Sequence, residues 1–307
     1  MNPSPRRPLG ATGLEVTPIC VGGSEFGRPQ GALGYDVSED QALATLRAVF
    51  DGPLNFLDTS ANYGDGESER RIGLALRERG GLPDGFVLAT KADRHPETQD
   101  FSADQVRRSV ERSLRLLGVD RLQLVYLHDP EYATQTFEQI NAPDGAVAAL
   151  LRLRDEGVIA HVGVAAGPTE MLMRYVDTGQ FEVVISHNRY TLLNREAEPL
   201  WDLAVQRGVA VVNAAPYGGG MLSKGPQAVQ RYMYRPAPPE LLARAERMAA
   251  ACERFGVPLA AAALQFSMRD PRVTSTIVGF SRPERLAETL RFAELSIPDE
   301  LWRELEA

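Results

Sequence analysis

Asn55-Phe56-Leu57-Asp58-Thr59-Ser60-Ala61-Asn62-Tyr63-Gly64-Asp65-Gly66 is a short apolar run that stops at a carboxylate, then a small-residue loop carrying a tyrosine. Two later segments end alike. Val87-Leu88-Ala89-Thr90-Lys91 stops at a lysine, and Leu122-Gln123-Leu124-Val125-Tyr126-Leu127-His128-Asp129 stops at a histidine and an aspartate. Short apolar runs bounded by turn signals read as buried strands. Three consecutive strands that deliver Asp, Lys and His at their C-terminal ends are hard to explain by packing. In a parallel barrel those ends share one face, where active sites sit. The set reads as one acid–base site.

Working outward, strand and helix patterns alternate along the chain. Pro and Gly signals before residue 15 predict a hairpin or loop cover. Val16 to Val21 is the first strand, ending at Gly22-Gly23. Ser38 is a plausible N-cap for a helix through Phe50, and Ser102 with Gln105 reads as a capping box. Strands follow at 54–58, 86–91, 122–128, 161–165, 182–186, 209–214 and 276–279, with helices between them. A long Gly/Pro/Ser-rich stretch, Pro216 to Pro239, exceeds usual loop lengths. Two helices precede the last strand, and helices 282–294 and 298–306 close the chain. Eight strand–helix units without a linker predict one α/β domain over 1–307, a (β/α)8 TIM barrel with an N-terminal cover and C-terminal extra helices. An open dinucleotide-binding sheet is the rival. It is disfavoured because no G-x-G-x-x-G follows the first strand.

Composition sets limits. The 307 residues are 44% hydrophobic and 24% charged, with a formal net charge of -8. That balance argues against a nucleic-acid partner. Cys20 and Cys252 are the only cysteines; they read as buried reduced thiols, and no spacing suggests a metal site. No apolar run approaches a membrane span or a signal peptide, which predicts a cytoplasmic protein with no membrane partner.

The segments Phe56-Leu57-Asp58-Thr59-Ser60-Ala61-Asn62-Tyr63-Gly64 with Glu67-Ser68-Glu69, Ala89-Thr90-Lys91 and Tyr126-Leu127-His128-Asp129 resemble the aldo-keto reductases. The resemblance covers nearly the whole chain. It implies a catalytic tetrad of Asp58, Tyr63, Lys91 and His128. Three later segments, Asn188 to Asn194, Asn213 to Leu222 and Pro236 to Glu240, resemble the branch with L-fucose, D-threo-aldose and L-galactose 1-dehydrogenases, with pyridoxal 4-dehydrogenase nearby.

The family's chemistry is hydride transfer between nicotinamide and a carbonyl or carbinol carbon. Tyr63 would carry the proton. A free tyrosine titrates near 10, and a neighbouring ammonium lowers that value. Lys91 would supply the charge, Asp58 would hold Lys91, and His128 would direct the reacting oxygen. Taken singly, these residues also read as a buried ion pair, a loop anchor and a core histidine.

The same resemblance implies a cofactor site for NADP or NAD. It comprises Gly22, Gly23, Asp58, His187, Ala214, Pro216, Tyr217, Gly218, Gly219, Leu222, Gly279, Ser281, Arg282 and Arg285. Glycines let backbone N–H groups approach a pyrophosphate, and a helix start with two arginines suits a phosphate. Arg282 alone reads equally as a solvated helix face. Gly279 stands where the family often has the lysine for the 2′-phosphate. Ala165-Ala166 stands where many members have a Ser-Asn grip on the nicotinamide amide, and Ala214 where a stacking aromatic is common. His187 either replaces a family glutamine there or has no role; Asn188 and Asn213 are other candidates. His95 and His161 look structural. Phe26, Tyr63 and His128 are the substrate candidates, with Trp201 and the 216–239 loop shaping the pocket.

Three functions compete. One is an NAD(P)-dependent aldose 1-dehydrogenase. The second is an aldehyde/ketone reductase or a pyridoxal 4-dehydrogenase-like enzyme. The third, from another class, is a cofactor-binding regulatory subunit.

Overall fold

The computed structural model describes residues 5–27, 36–233 and 235–306. The first four residues of the expected N-terminal cover, residue 234 of the long loop and residue 307 lie outside the described residues. Eight parallel strands close into a barrel. We number them β1 (Ile19–Gly22), β2 (Phe56–Asp58), β3 (Val87–Ala92), β4 (Leu122–His128), β5 (Ile159–Ala166), β6 (Val183–His187), β7 (Ala210–Ala214) and β8 (Val273–Gly279). Pairing runs in chain order, and β8 closes the ring by pairing with both β7 and β1.

The principal helices are α1 (Glu39–Phe50), α2 (Glu67–Arg79), α3 (Ala103–Leu117), α4 (Ala146–Asp155), α5 (Thr169–Asp177), α6 (Glu198–Gln206), α7 (Pro239–Arg254), α8 (Leu259–Met268), α9 (Pro283–Glu294) and α10 (Asp299–Glu306). Ser38 and Ser102 cap α1 and α3, each accepting a backbone N–H of the first turn. The capping box expected at Ser102 is only half formed. Gln105 turns its amide to the Asp93 carbonyl, and the Ser102 N–H goes to Asp100. Gly118 ends α3 at φ 70°, a left-handed cap that favours glycine.

The N-terminal cover is a two-stranded hairpin, Arg7–Pro8 against Glu15–Val16. Its Leu9 and Val16 are buried against the residues that fill the barrel interior, which plugs the end where the strands begin. Inside the long loop, two features escaped the sequence reading. One is a short helix, Met221–Lys224; the other is a hairpin pairing Arg231–Tyr232 with Arg235–Pro236. The Tyr232 hydroxyl bonds Thr191 and the Asn188 carbonyl, and its ring lies where a side chain at Gly218 would fall. One aromatic thus pins the loop to the exits of β6 and β7.

Strand side chains alternate between two faces, and the two cores follow that rule. Cys20, Phe56, Ala89, Tyr126, Ile185, Val212 and Ile277 belong to the cluster inside the barrel, while Val21, Leu57, Leu88, Val125, Val184, Val211 and Val278 pack outward against the helices. Tyr126 occupies so much of the interior that its register partner is Gly163, where a Cβ would lie 2.4 Å from the ring. Two residues further on, at or next to each strand end, the same parity gives one more inward position. That final inward ring is Gly22, Asp58, Lys91, His128, Gly167, His187, Ala214 and Gly279. The β1, β7 and β8 side of the mouth therefore carries Gly22, Ala214 and Gly279, with almost no side-chain volume. The β2, β3 and β4 side carries Asp58, Lys91 and His128.

Candidate active site

The inward ring gathers the three residues that end the strands. Lys91 Nζ makes a direct ion pair with Asp58 Oδ1 and donates to the Thr59 carbonyl at 2.6 Å. It also donates to the Tyr63 hydroxyl at 3.1 Å. The ammonium lies 4.6 Å from the Tyr63 ring centroid, and the His128 ring meets that ring edge-on at 5.9 Å. Asp58 and Lys91 each expose only 3% of their side chains. In such a place an unpaired charge would be costly, so each ion is the other's reason to stay charged.

Tyr63 is not on a strand, so its place depends on the loop. The backbone of the Gly23–Gly27 turn presses on that loop. A Cβ at Gly64, where φ is +63°, would lie 1.8 Å from the Gly27 carbonyl oxygen. Only glycine permits that approach. On the other side, Asn62 N–H donates to Asp93 Oδ2 at 3.0 Å, and the Asn62 amide donates to the Arg94 carbonyl. The loop is thus clamped from both flanks.

Burial pushes the Tyr63 phenol above its ordinary value; Lys91 works against this and Asp58 adds to it. The sequence reading expected the ammonium to bring the phenol down. Its pull is present, but loss of solvent outweighs it. Burial acts to lower Lys91, yet Asp58 and Tyr63 together raise it, so the ammonium stays charged. Desolvation likewise raises Asp58 against the pull of Lys91.

Asp93, missed in the sequence reading, lies beneath His128. Its Oδ1 is 2.6 Å from His128 Nδ1, and its Oδ2 accepts from Ser60 Oγ at 2.5 Å. Ser109 accepts the Asp93 N–H and Gln105 donates to its carbonyl. A signal was available: Ser60 and Asp93 each lie two residues beyond a strand-end ion, on the same parity as Asp58 and Lys91. Asp129 follows His128 at φ 45°, with Oδ1 at 3.7 Å from His128 Nε2 and 3.9 Å from His187 Nε2. Glu131 accepts the Gly167 N–H at 3.1 Å. A carboxylate oxygen from each of Asp129 and Glu131 and a ring nitrogen of His187 lie within 4.8 Å of one another. Asp129 Oδ1 and Glu131 Oε2 are buried acceptors without a hydrogen-bond partner.

The residues expected around a dinucleotide lie on the side-chain-poor side. Gly22 and Gly279 end β1 and β8, and Gly23 packs against the Asp58 carbonyl and the Thr59 side chain. Beyond β7, Pro216 and Tyr217 lead into a turn over Gly218–Gly220 with three positive φ values. Arg282 is the N-cap residue of α9, Ser281 precedes it, and Arg285 lies in its first turn, paired to Glu288. A planar ring at β1, β7 and β8 with phosphates at those exits fits this shape. Asp58 and Lys91 border it, and Asn188, 1% exposed, holds its amide nitrogen 3.2 Å from His187 Nδ1.

Five expected residues sit elsewhere. Phe26 and Leu222 have no exposed surface and pack in the outer core, so neither side chain can line the mouth. Trp201 is on α6, wholly buried edge-on to Tyr190. Asn213 points outward on β7 and donates to Tyr190 and Ser267. Ala166 also faces outward, leaving Ala165 as the interior residue of that pair. His161 pairs with Glu182 on the barrel wall, and His95 Nδ1 accepts a backbone N–H of its own loop. Cys20 and Cys252 are free and buried, as expected.

A closed parallel barrel with an acid–base cluster on its C-terminal face defines a (β/α)8 enzyme. The sequence model of the aldo/keto reductase family matches residues 18–307, so the chain belongs to that family and is an oxidoreductase. Similar proteins include D-threo-aldose 1-dehydrogenase from a Pseudomonas species, 33% identical, covering 96% of this chain and 94% of the relative. Pyridoxal 4-dehydrogenase from Microbacterium luteolum is 32% identical over 98% of this chain and 96% of its own. L-galactose dehydrogenase from Arabidopsis thaliana is 31% identical over 98% and 93%. The fold of a holo-form aldo-keto reductase from Bacillus halodurans superposes with TM-score 0.79 at 24% identity, over 99% of this chain and 95% of that one. Enzymes of this family use nicotinamide cofactors. Among the described residues, no helix is long and apolar enough to cross a membrane.

Proposed function

We propose that this chain, acting as a single domain in the cytoplasm, is an NAD-dependent aldose 1-dehydrogenase that oxidises the C1 hydroxyl of a cyclic sugar to a lactone. Asp58, Tyr63, Lys91 and His128 are its catalytic residues. The observation that carries the reading is the 3.1 Å contact from Lys91 Nζ to the Tyr63 hydroxyl, with His128 edge-on beside it. A nicotinamide held beside Gly22, Ala214 and Gly279 would supply the hydride acceptor. Tyr63 exchanges the hydroxyl proton, with Lys91 favouring its phenolate and Asp58 keeping Lys91 charged. His128 orients the reacting oxygen.

A polyhydroxylated substrate suits this mouth. Asp129 and Glu131 each present a carboxylate oxygen without a partner, and sugar hydroxyls are donors. Two relatives named for aldose and galactose oxidation point the same way. NAD is favoured over NADP at the end of β8. A Cβ at Gly279 would lie 2.9 Å from Glu25 Cγ and 3.2 Å from its Oε1, so a carboxylate covers the position where the family often has a lysine. Arg285 is already engaged by Glu288. A 2′-phosphate would lie against the Glu25 carboxylate, whereas a ribose 2′-hydroxyl can donate to it.

Steady-state rates with L-fucose, D-arabinose, L-galactose, pyridoxal and pyridoxine, each with NAD and NADP, test the proposal. Turnover of an aldose with NAD is expected. Turnover of pyridoxal with no aldose oxidised would move the assignment to the pyridoxal-type reading. Cofactor binding without hydride transfer to any compound would favour a regulatory subunit.

A further inference from the structure

Asp93 has no part in the four-residue mechanism, yet every one of its polar atoms is placed. Its Oδ1 meets His128 Nδ1 at 2.6 Å, and its Oδ2 accepts from Ser60 Oγ and the Asn62 N–H. Its own N–H and carbonyl are fixed by Ser109 and Gln105 on α3. The carboxylate is wedged between the Tyr63 loop and α3, and it is 2% exposed. An aspartate held on one imidazole nitrogen fixes the tautomer and turns the other nitrogen to the site.

We propose that Asp93 is the positioning residue for His128: it keeps the proton on Nδ1, aims Nε2 at the substrate oxygen and makes the ring a group that titrates during turnover. This rests on the oxidoreductase reading of the site. With Nδ1 bonded to Asp93, Nε2 accepts from a substrate hydroxyl when the ring is neutral. It donates to a carbonyl oxygen when the ring is cationic. The two states match the two ends of an alcohol–carbonyl conversion, so the ring can serve either direction without rotating.

The charges facing the ring come from several elements. Asp93 lies below and Asp129 beside Nε2; Lys91 and Asp58 stand on β3 and β2, Tyr63 on its loop, His187 at the end of β6, and Glu131 near Asp129. Burial works to lower His128, but the Asp93 and Asp129 carboxylates outweigh it and raise it. Asp93 itself is lowered, against its burial, by His128 and Ser60. Both partners thus favour the ionised pair.

The test is a proton NMR titration of the imidazole signals in the full-length chain, run beside rate–pH profiles. The chain has four histidines, so His128→Asn identifies the relevant signal. In the wild type, His128 is expected to titrate above the ordinary value of about 6.5. In Asp93→Asn, which keeps an acceptor but removes the charge, the midpoint is expected to fall by about one unit or more. The limb of the kcat profile should move with it, and kcat should drop about tenfold to a hundredfold with NADH affinity unchanged. A wild-type midpoint at or below 6.5 would overturn the proposal without any variant. So would a midpoint or kcat that Asp93→Asn leaves in place, or a loss of rate with no movement of the limb. If no substrate is turned over, the enzyme reading fails, but the NMR midpoints still decide whether Asp93 governs the ring.

Discussion

Lys91 reaches two chemically opposite neighbours at once: it is ion-paired to Asp58 and donates to the Tyr63 hydroxyl at 3.1 Å. The phenol is therefore beside a charge that cannot readily leave. Burial makes proton loss from Tyr63 harder, so the ammonium is the main group on the protein opposing that effect.

Tyr63→Phe removes the hydroxyl and keeps the ring. Turnover is expected to fall by about 10²–10⁴-fold, with nicotinamide cofactor still binding by fluorescence titration. A variant that keeps most of its kcat would end the assignment of Tyr63 as proton carrier.

Lys91→Met strands a buried carboxylate, and breaking a buried pair this way costs about 3–5 kcal/mol. Denaturant unfolding should show that loss. The double variant Asp58→Asn, Lys91→Met should be less destabilised than the sum of the singles, because neither is then left unpaired. An additive cycle would mean that the two residues do not depend on each other.

Glu69, on α2, is wholly buried and accepts from Thr90 Oγ1 at 2.6 Å. Desolvation raises its carboxyl from 4.5 to about 7. The folded state therefore holds a proton that the unfolded chain releases. Its stabilising effect is complete below about 4.5, fades as pH rises towards 7 and is absent above that. The melting temperature of Glu69→Gln should lack this decline. Parallel pH curves for the two proteins would contradict it.

Glu25→Gln removes the carboxylate that lies over Gly279. The KM for NADP should fall by about tenfold, the scale of 1.4 kcal/mol for one partly screened charge, with little change for NAD. Equal changes for both cofactors would place Glu25 away from the 2′ position.

Gly64→Ala puts a methyl group where the Gly27 carbonyl lies, at a positive φ. The Tyr63 loop must then shift. Because catalysis is sensitive to displacements of about 1 Å, kcat should fall at least tenfold while cofactor affinity holds. Unchanged kcat would show that the loop is less tightly seated than these contacts imply.

The sequence by itself determined the order of the eight units, the barrel, and the strand-end ions Asp58, Lys91 and His128. Those features are local: period-two alternation and an abrupt change from apolar to ionisable residues are written within six or seven positions. The same parity extends to Ser60 and Asp93. What only the tertiary structure decided depends on residues far apart in the chain. Asp93 meets His128 across 35 positions, and Glu25, just after the first strand, meets Gly279 at the end of the last. Phe26, Trp201 and Asn213 have chemistry suited to a pocket but face the outer layer. The Tyr63 phenol is raised although its nearest charge would lower it, because desolvation sums over every neighbour that excludes water. No sequence spacing encodes that sum.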